Sequence, residues 1–110
     1  MAQTYIIAIN KSGKPTGQPQ VTFNPPSQTV NAGDVIYWRN NDSAPHWPAP
    51  TAGEENDWMD FQIPGKLPDQ PAPTSQQAVT FGAGTKGTKR TVKYYDVNDP
   101  TSMGEIVVQS

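Results

Sequence analysis

The chain has no cysteine and a single histidine, His46. Without cysteine there are no disulfides, no thiolate metal ligands and no thiol nucleophile, and the redox compartment cannot be read from thiol usage. With one imidazole, a metallohydrolase centre built on several histidines is excluded. No G-x-S-x-G element, phosphate-cradling glycine loop or Cys/His pair occurs, so the chain reads as a non-enzyme. Charge is scarce and nearly balanced, 8 Lys+Arg against 10 Asp+Glu, for a net charge of -2. Such a surface does not recruit nucleic acid or an anionic membrane. No apolar run approaches the ~20 residues of a transmembrane helix. Met1-Ala2-Gln3 leads straight into a strand-like segment, so no signal peptide is expected in this chain.

What the chain has in quantity is turn formers: 12 Pro and 9 Gly in 110 residues, with 34% hydrophobic residues. That length suits one domain, residues 1–110, and a monomer is expected. Short segments rich in β-branched and aromatic residues recur between turn signals: Thr4–Ile9, Gln20–Phe23, Gln28–Val30, Val35–Asn40, Gln77–Phe81, Arg90–Tyr95 and Gly104–Gln109. No helical period or internal repeat is visible. The pattern predicts an all-β Greek-key β-sandwich, with Val35–Asn40 and Arg90–Tyr95 as central strands.

From Trp47 to Gln77 periodicity is lost and prolines accumulate. This reads as a long irregular excursion, anchored by a short strand or helical turn at Trp58–Ile63. Lys66–Pro73 has the composition of a polyproline-type ligand, although a packed surface loop is the simpler reading. Trp38 is expected in the core, while Trp47 and Trp58 are candidates for an exposed aromatic platform. Asn10-Lys11-Ser12 and Asn41-Asp42-Ser43 fit the glycosylation sequon.

The most informative stretch is Gly33-Asp34-Val35-Ile36-Tyr37-Trp38-Arg39-Asn40-Asn41-Asp42-Ser43-Ala44-Pro45-His46. It begins with a turn signal, continues as an apolar, aromatic strand, breaks into a polar turn and closes on Pro45-His46. A histidine fixed after a strand end by proline can be a metal ligand, although from spacing alone a surface histidine in a loop is the better reading. The stretch resembles the cupredoxins, the plastocyanin-like blue copper proteins, whose pattern G-D-x-V-x-W/F-x-N-N leads through a short turn to P-H. The resemblance extends upstream through Phe23, Pro26, Thr29 and Val30, and it implies that His46 stands at the first copper ligand.

The second ligand loop of that family has the form Y-x-C-x-x-H followed by M-x-G-x-I-x-V. Here Tyr94-Tyr95-Asp96-Val97-Asn98-Asp99 leads to Met103-Gly104-Glu105-Ile106-Val107-Val108. The resemblance thus puts Asp96 at the cysteine, Asp99 at the second histidine and Met103 at the weak axial methionine. Trp47 stands where an Asn often follows the first ligand. A blue centre needs two imidazoles and a thiolate. Its replacement by Asp96 and Asp99 leaves a degenerate site, with weak, non-blue metal binding through His46, Asp96, Asp99 and Met103, or none. Two carboxylates beside His46 would favour its protonated form. The resemblance implies copper as the ancestral cofactor, a redox partner protein and a periplasmic or secreted location. The alternatives are a non-metal binding or structural module on the same scaffold, and an engineered ligand-replaced variant.

Overall fold

The computed structural model describes residues 3–51, 62–75, 79–80 and 90–109. Its strands are β1 (Thr4–Lys11), β2 (Val21–Asn24), β3 (Ser27–Asn31), β4 (Val35–Asn40), β5 (Pro48–Pro50), β6 (Val79–Thr80), β7 (Arg90–Asp96) and β8 (Asp99–Gln109). They form two 4-stranded sheets, ordered β2-β1-β4-β6 and β3-β8-β7-β5. The chain crosses repeatedly between the sheets, and β1–β4 and β3–β8 are parallel neighbours. No helix occurs among the described residues, and none is long and apolar enough to cross a membrane. The architecture is the all-β sandwich that the sequence predicts.

Two-residue alternation sends Ile7 and Ile9 of β1, Ile36 and Trp38 of β4, Val92 and Tyr94 of β7, and Ile106 and Val108 of β8 into one shared core. Tyr94 sits at its centre, edge-on to Phe23 at 4.8 Å and to Trp38 at 5.4 Å between ring centroids. Gly104 lies opposite Tyr94 in the ladder and leaves room for the ring; a Cβ there would come within 2.5 Å of the phenol oxygen. The same alternation carries two polar side chains inward at the strand ends. Asn40 continues the row of Ile36 and Trp38, and Asp96 continues that of Val92 and Tyr94; both are fully buried. Strand register therefore delivers an amide and a carboxylate to one end of the core.

The central strand β4 has the expected bounds, and β6 falls inside the expected Gln77–Phe81, whose flanks lie outside the described residues. Trp58–Phe61 and the Gly82–Thr88 turn also lie outside them. β1, β2, β3 and β7 differ from expectation by one or two residues at their ends, and β5 and β8 differ more. β5 is a strand despite Pro48 and Pro50, because it is an edge strand pairing only with Tyr94–Asp96 of β7. β8 begins at Asp99 rather than Gly104. Asp96 pairs with Asp99 across a tight Val97-Asn98 turn, whereas Tyr95 pairs with Met103, so Pro100-Thr101-Ser102 are looped out of register as a bulge.

Candidate metal centre

The pole beyond β4 is built from Asn40 outward. Its Oδ1 accepts the Asp42 amide at 2.9 Å, and its Nδ2 donates to the carbonyls of Ala44 at 2.8 Å and Pro64 at 3.1 Å. One buried side chain thereby shapes the 41–45 turn and ties it to the returning excursion. Lys66 N donates to the Asp42 carbonyl at 2.8 Å. Gly65 packs so closely that a Cβ would lie 1.9 Å from the Ser43 carbonyl oxygen. Pro45 then places His46 in a two-way bridge with Ile63, N to O at 3.1 Å and O to N at 2.7 Å.

His46 is 4% exposed, and both of its ring nitrogens face carboxylates. Nδ1 bonds Asp96 Oδ2, and Nε2 bonds Asp42 Oδ2 at 2.7 Å. Asp96 is itself saturated: its Oδ1 accepts the backbone amides of Trp47 at 2.9 Å and Asn98 at 3.0 Å. Burial is the largest single influence on His46 and pulls its pKa down. The hydrogen bonds to Asp96 and Asp42, with their charges, outweigh it, so the pKa is raised above 6.5. The arrangement favours the imidazolium form, which can donate from each nitrogen to a buried carboxylate.

Asp99 lines the hollow beside His46, together with Lys11, Gln20, Asp42, Gln62 and Asn98. None of its hydrogen bonds reaches the ring. Its Oδ2 accepts Gln20 N and Ser102 Oγ, each at 2.7 Å, and its Oδ1 accepts Thr101 Oγ1 at 2.9 Å. Burial, the largest effect, would raise its pKa, but these bonds, led by Ser102 and Gln20, lower it. Met103 is not brought to the pole. The β8 bulge sets it opposite Tyr95, 53% exposed, in a separate depression with Pro26, Ser27 and Lys93. The structure thus gathers His46, Asp96 and Asp99 at one end and leaves Met103 out.

Asp42 is the residue the sequence reading missed. It lies four positions before His46, but in a turn, where no helical period signals that the two side chains meet. Its only sequence signal is its place in the polar turn before Pro45-His46.

A copper ion of the blue type does not fit these residues. There is no thiolate in the chain, both nitrogens of its one imidazole are taken, and the Met103 thioether lies elsewhere. Among the described residues no group of His, Cys, Asp and Glu forms a metal-holding cluster.

No family model matches the chain. A plastocyanin from Synechococcus sp. (strain JA-2-3B'a(2-13)) is 38% identical over 45 residues, 41% of this chain and 29% of that protein, so the match spans under a third of its length. A solved amicyanin mutant in its reduced state superposes with a TM-score of 0.64 at 20% identity, covering 96% of this chain and 82% of that one. A second amicyanin mutant, in a reduced Cu(I) form at pH 4, gives 0.64 at 19% identity over 96% and 82%. A purple cupredoxin from Nitrosopumilus maritimus gives 0.63 at 19% identity, covering 99% and 100%. With the two-sheet sandwich already described, these likenesses show that the chain has the cupredoxin fold.

Proposed function

We propose that this chain is a cupredoxin-fold domain whose type 1 copper centre has been replaced by a carboxylate–imidazolium–carboxylate triad, Asp42–His46–Asp96. It does not carry electrons through a copper–thiolate bond. The observation that carries this reading is the engagement of both His46 nitrogens by carboxylates, one of them Asp96, which the sequence resemblance sets at the cysteine position. A divalent ion taken up at this pole is held weakly, because the oxygens of Asp96 and Asp99 are already engaged by hydrogen bonds, and is pale with copper. Copper, a redox partner and a periplasmic or secreted location belong to the relatives' side of the likeness. For this chain we infer a non-enzymatic role.

The test is a Cu(II) titration followed by visible and EPR spectra. The expected result is no intense visible band, and only weak, saturable or adventitious binding with a wide copper hyperfine splitting. An intense charge-transfer band in the visible, with narrowed hyperfine splitting, would overturn the reading.

A second reading, a non-metal binding or structural module, is favoured by the hollow itself, which opens beside the triad and is lined by Lys11 as well as by Asp42 and Asp99.

A further inference from the structure

The missing thiolate accounts for the loss of a blue centre, but not for a histidine closed to metal altogether. Metal-bound histidines commonly donate one ring N–H to a carboxylate, which orients the ring, while the other nitrogen holds the ion. Asp96 is placed for the first of these roles. It is fully buried, pinned by the Trp47 and Asn98 amides, and bonded to Nδ1. The other nitrogen, Nε2, lies on the side of the hollow, because its partner Asp42 lines the hollow and Asp96 does not. Asp99 offers a further carboxylate in the same hollow. Apart from Asp42, then, the pole has an oriented, buried imidazole whose Nε2 lies on the side of the hollow, with an acidic neighbour there.

Asp42 occupies the decisive position. A zinc–nitrogen bond of about 2.0–2.1 Å would lie along the line on which Asp42 Oδ2 already sits, 2.7 Å from Nε2. The side chain is held there from both sides of its own backbone, its amide by Asn40 Oδ1 at 2.9 Å and its carbonyl by Lys66 N at 2.8 Å. We propose that Asp42 is the metal-excluding residue of this pole: it caps His46 Nε2, so that a shared proton stands where a divalent ion would otherwise bind. This deepens the copper-free reading above and rests on it, naming the residue that keeps the histidine closed.

The experiment compares the wild-type chain with Asp42→Ala, each titrated with Zn(II) alone, by calorimetry and by 15N NMR of the His46 ring. In the wild type, Nε2 should keep its proton and His46 signals should not move at zinc concentrations that saturate the variant. In Asp42→Ala, zinc should displace the Nε2 proton with an affinity about tenfold or more higher, the scale on which neighbours of metal ligands act. Wild-type coordination through His46 as tight as the variant's overturns the proposal, as does a folded variant with no gain. Should Asp42→Ala fail to fold, Asp42→Ser removes the carboxylate from Nε2 while keeping a short polar side chain in the turn. A gain in zinc affinity there supports the proposal, and wild-type behaviour overturns it. The zinc result is separable from the copper-free reading, which fails only on an intense visible band of the wild type with Cu(II).

Discussion

At His46 the balance between burial and partner carboxylates sets a pH dependence whose sign can be worked out. The folded pKa lies above the unfolded value, so the triad's contribution to stability is fully present below about pH 6.5 and is lost as pH rises through the folded pKa. Asp34, held low by the Gln3 and Asn31 amides, and Asp99 behave oppositely. Their contributions are present above about pH 3.8 and are lost as pH falls through their depressed values. Urea unfolding across pH should therefore show a plateau between these limits, with a decline on the alkaline side that follows the His46 ring signals by NMR. An alkaline limb that does not track those signals would contradict the triad. Asp96→Ala leaves a buried imidazolium short of one partner and should cost about 3–5 kcal/mol, measured by the same unfolding; a loss below about 1 kcal/mol, the scale of an exposed pair, would place the pair in solvent. The sequence marks His46 and Asp96 as site positions through their flanking motifs. It does not say that they bond each other, because a histidine and a carboxylate fifty residues apart carry no spacing rule.

Among the elements, the β7–β8 hairpin shows where pattern reading stops. The alternation of β7 is plain in the sequence, and it carries Asp96 inward behind Val92 and Tyr94. The bulge at Pro100-Thr101-Ser102 leaves no comparable trace, so the expected loop up to Met103 is instead a tight turn followed by strand. β5 was illegible for a related reason: two prolines argue against a strand unless the segment is known to be an edge. Two glycines test the packing of these elements. Gly104→Ala would press a methyl on the Tyr94 ring, which Phe23 and Trp38 hold in place, and should cost about 1–3 kcal/mol. Gly65→Ala would force the excursion away from the Ser43 carbonyl, loosening the turn that positions Asp42 and His46. Beyond lost stability in urea, the expected sign is a shift of the His46 ring signals, which Gly104→Ala should leave nearly unchanged.

For the whole molecule, fold class was legible because short β-rich segments alternate between Gly and Pro signals, and because the Gly33–His46 stretch holds its pattern intact. The far-UV spectrum should lack helix, and amide exchange should be slowest in β4 and β7; either result reversed would contradict the sandwich. Sheet order was not legible, since it depends on parallel pairs between distant strands such as β1 with β4 and β3 with β8. The β8 bulge has one more consequence at this scale. β2 is an edge of its sheet, and the amides at its start do not face open water. Gln20 N donates to Asp99 Oδ2 at 2.7 Å and Val21 N to Ser102 Oγ at 3.3 Å. Side chains from the bulge thus stand where another strand would add. An exposed strand edge is a template for self-association, so Ser102→Val together with Asp99→Leu should make the chain more prone to oligomerise in light scattering, while its spectrum stays β. The residues of the β7–β8 hairpin would then be serving colloidal stability, by blunting an edge against other copies of the same chain.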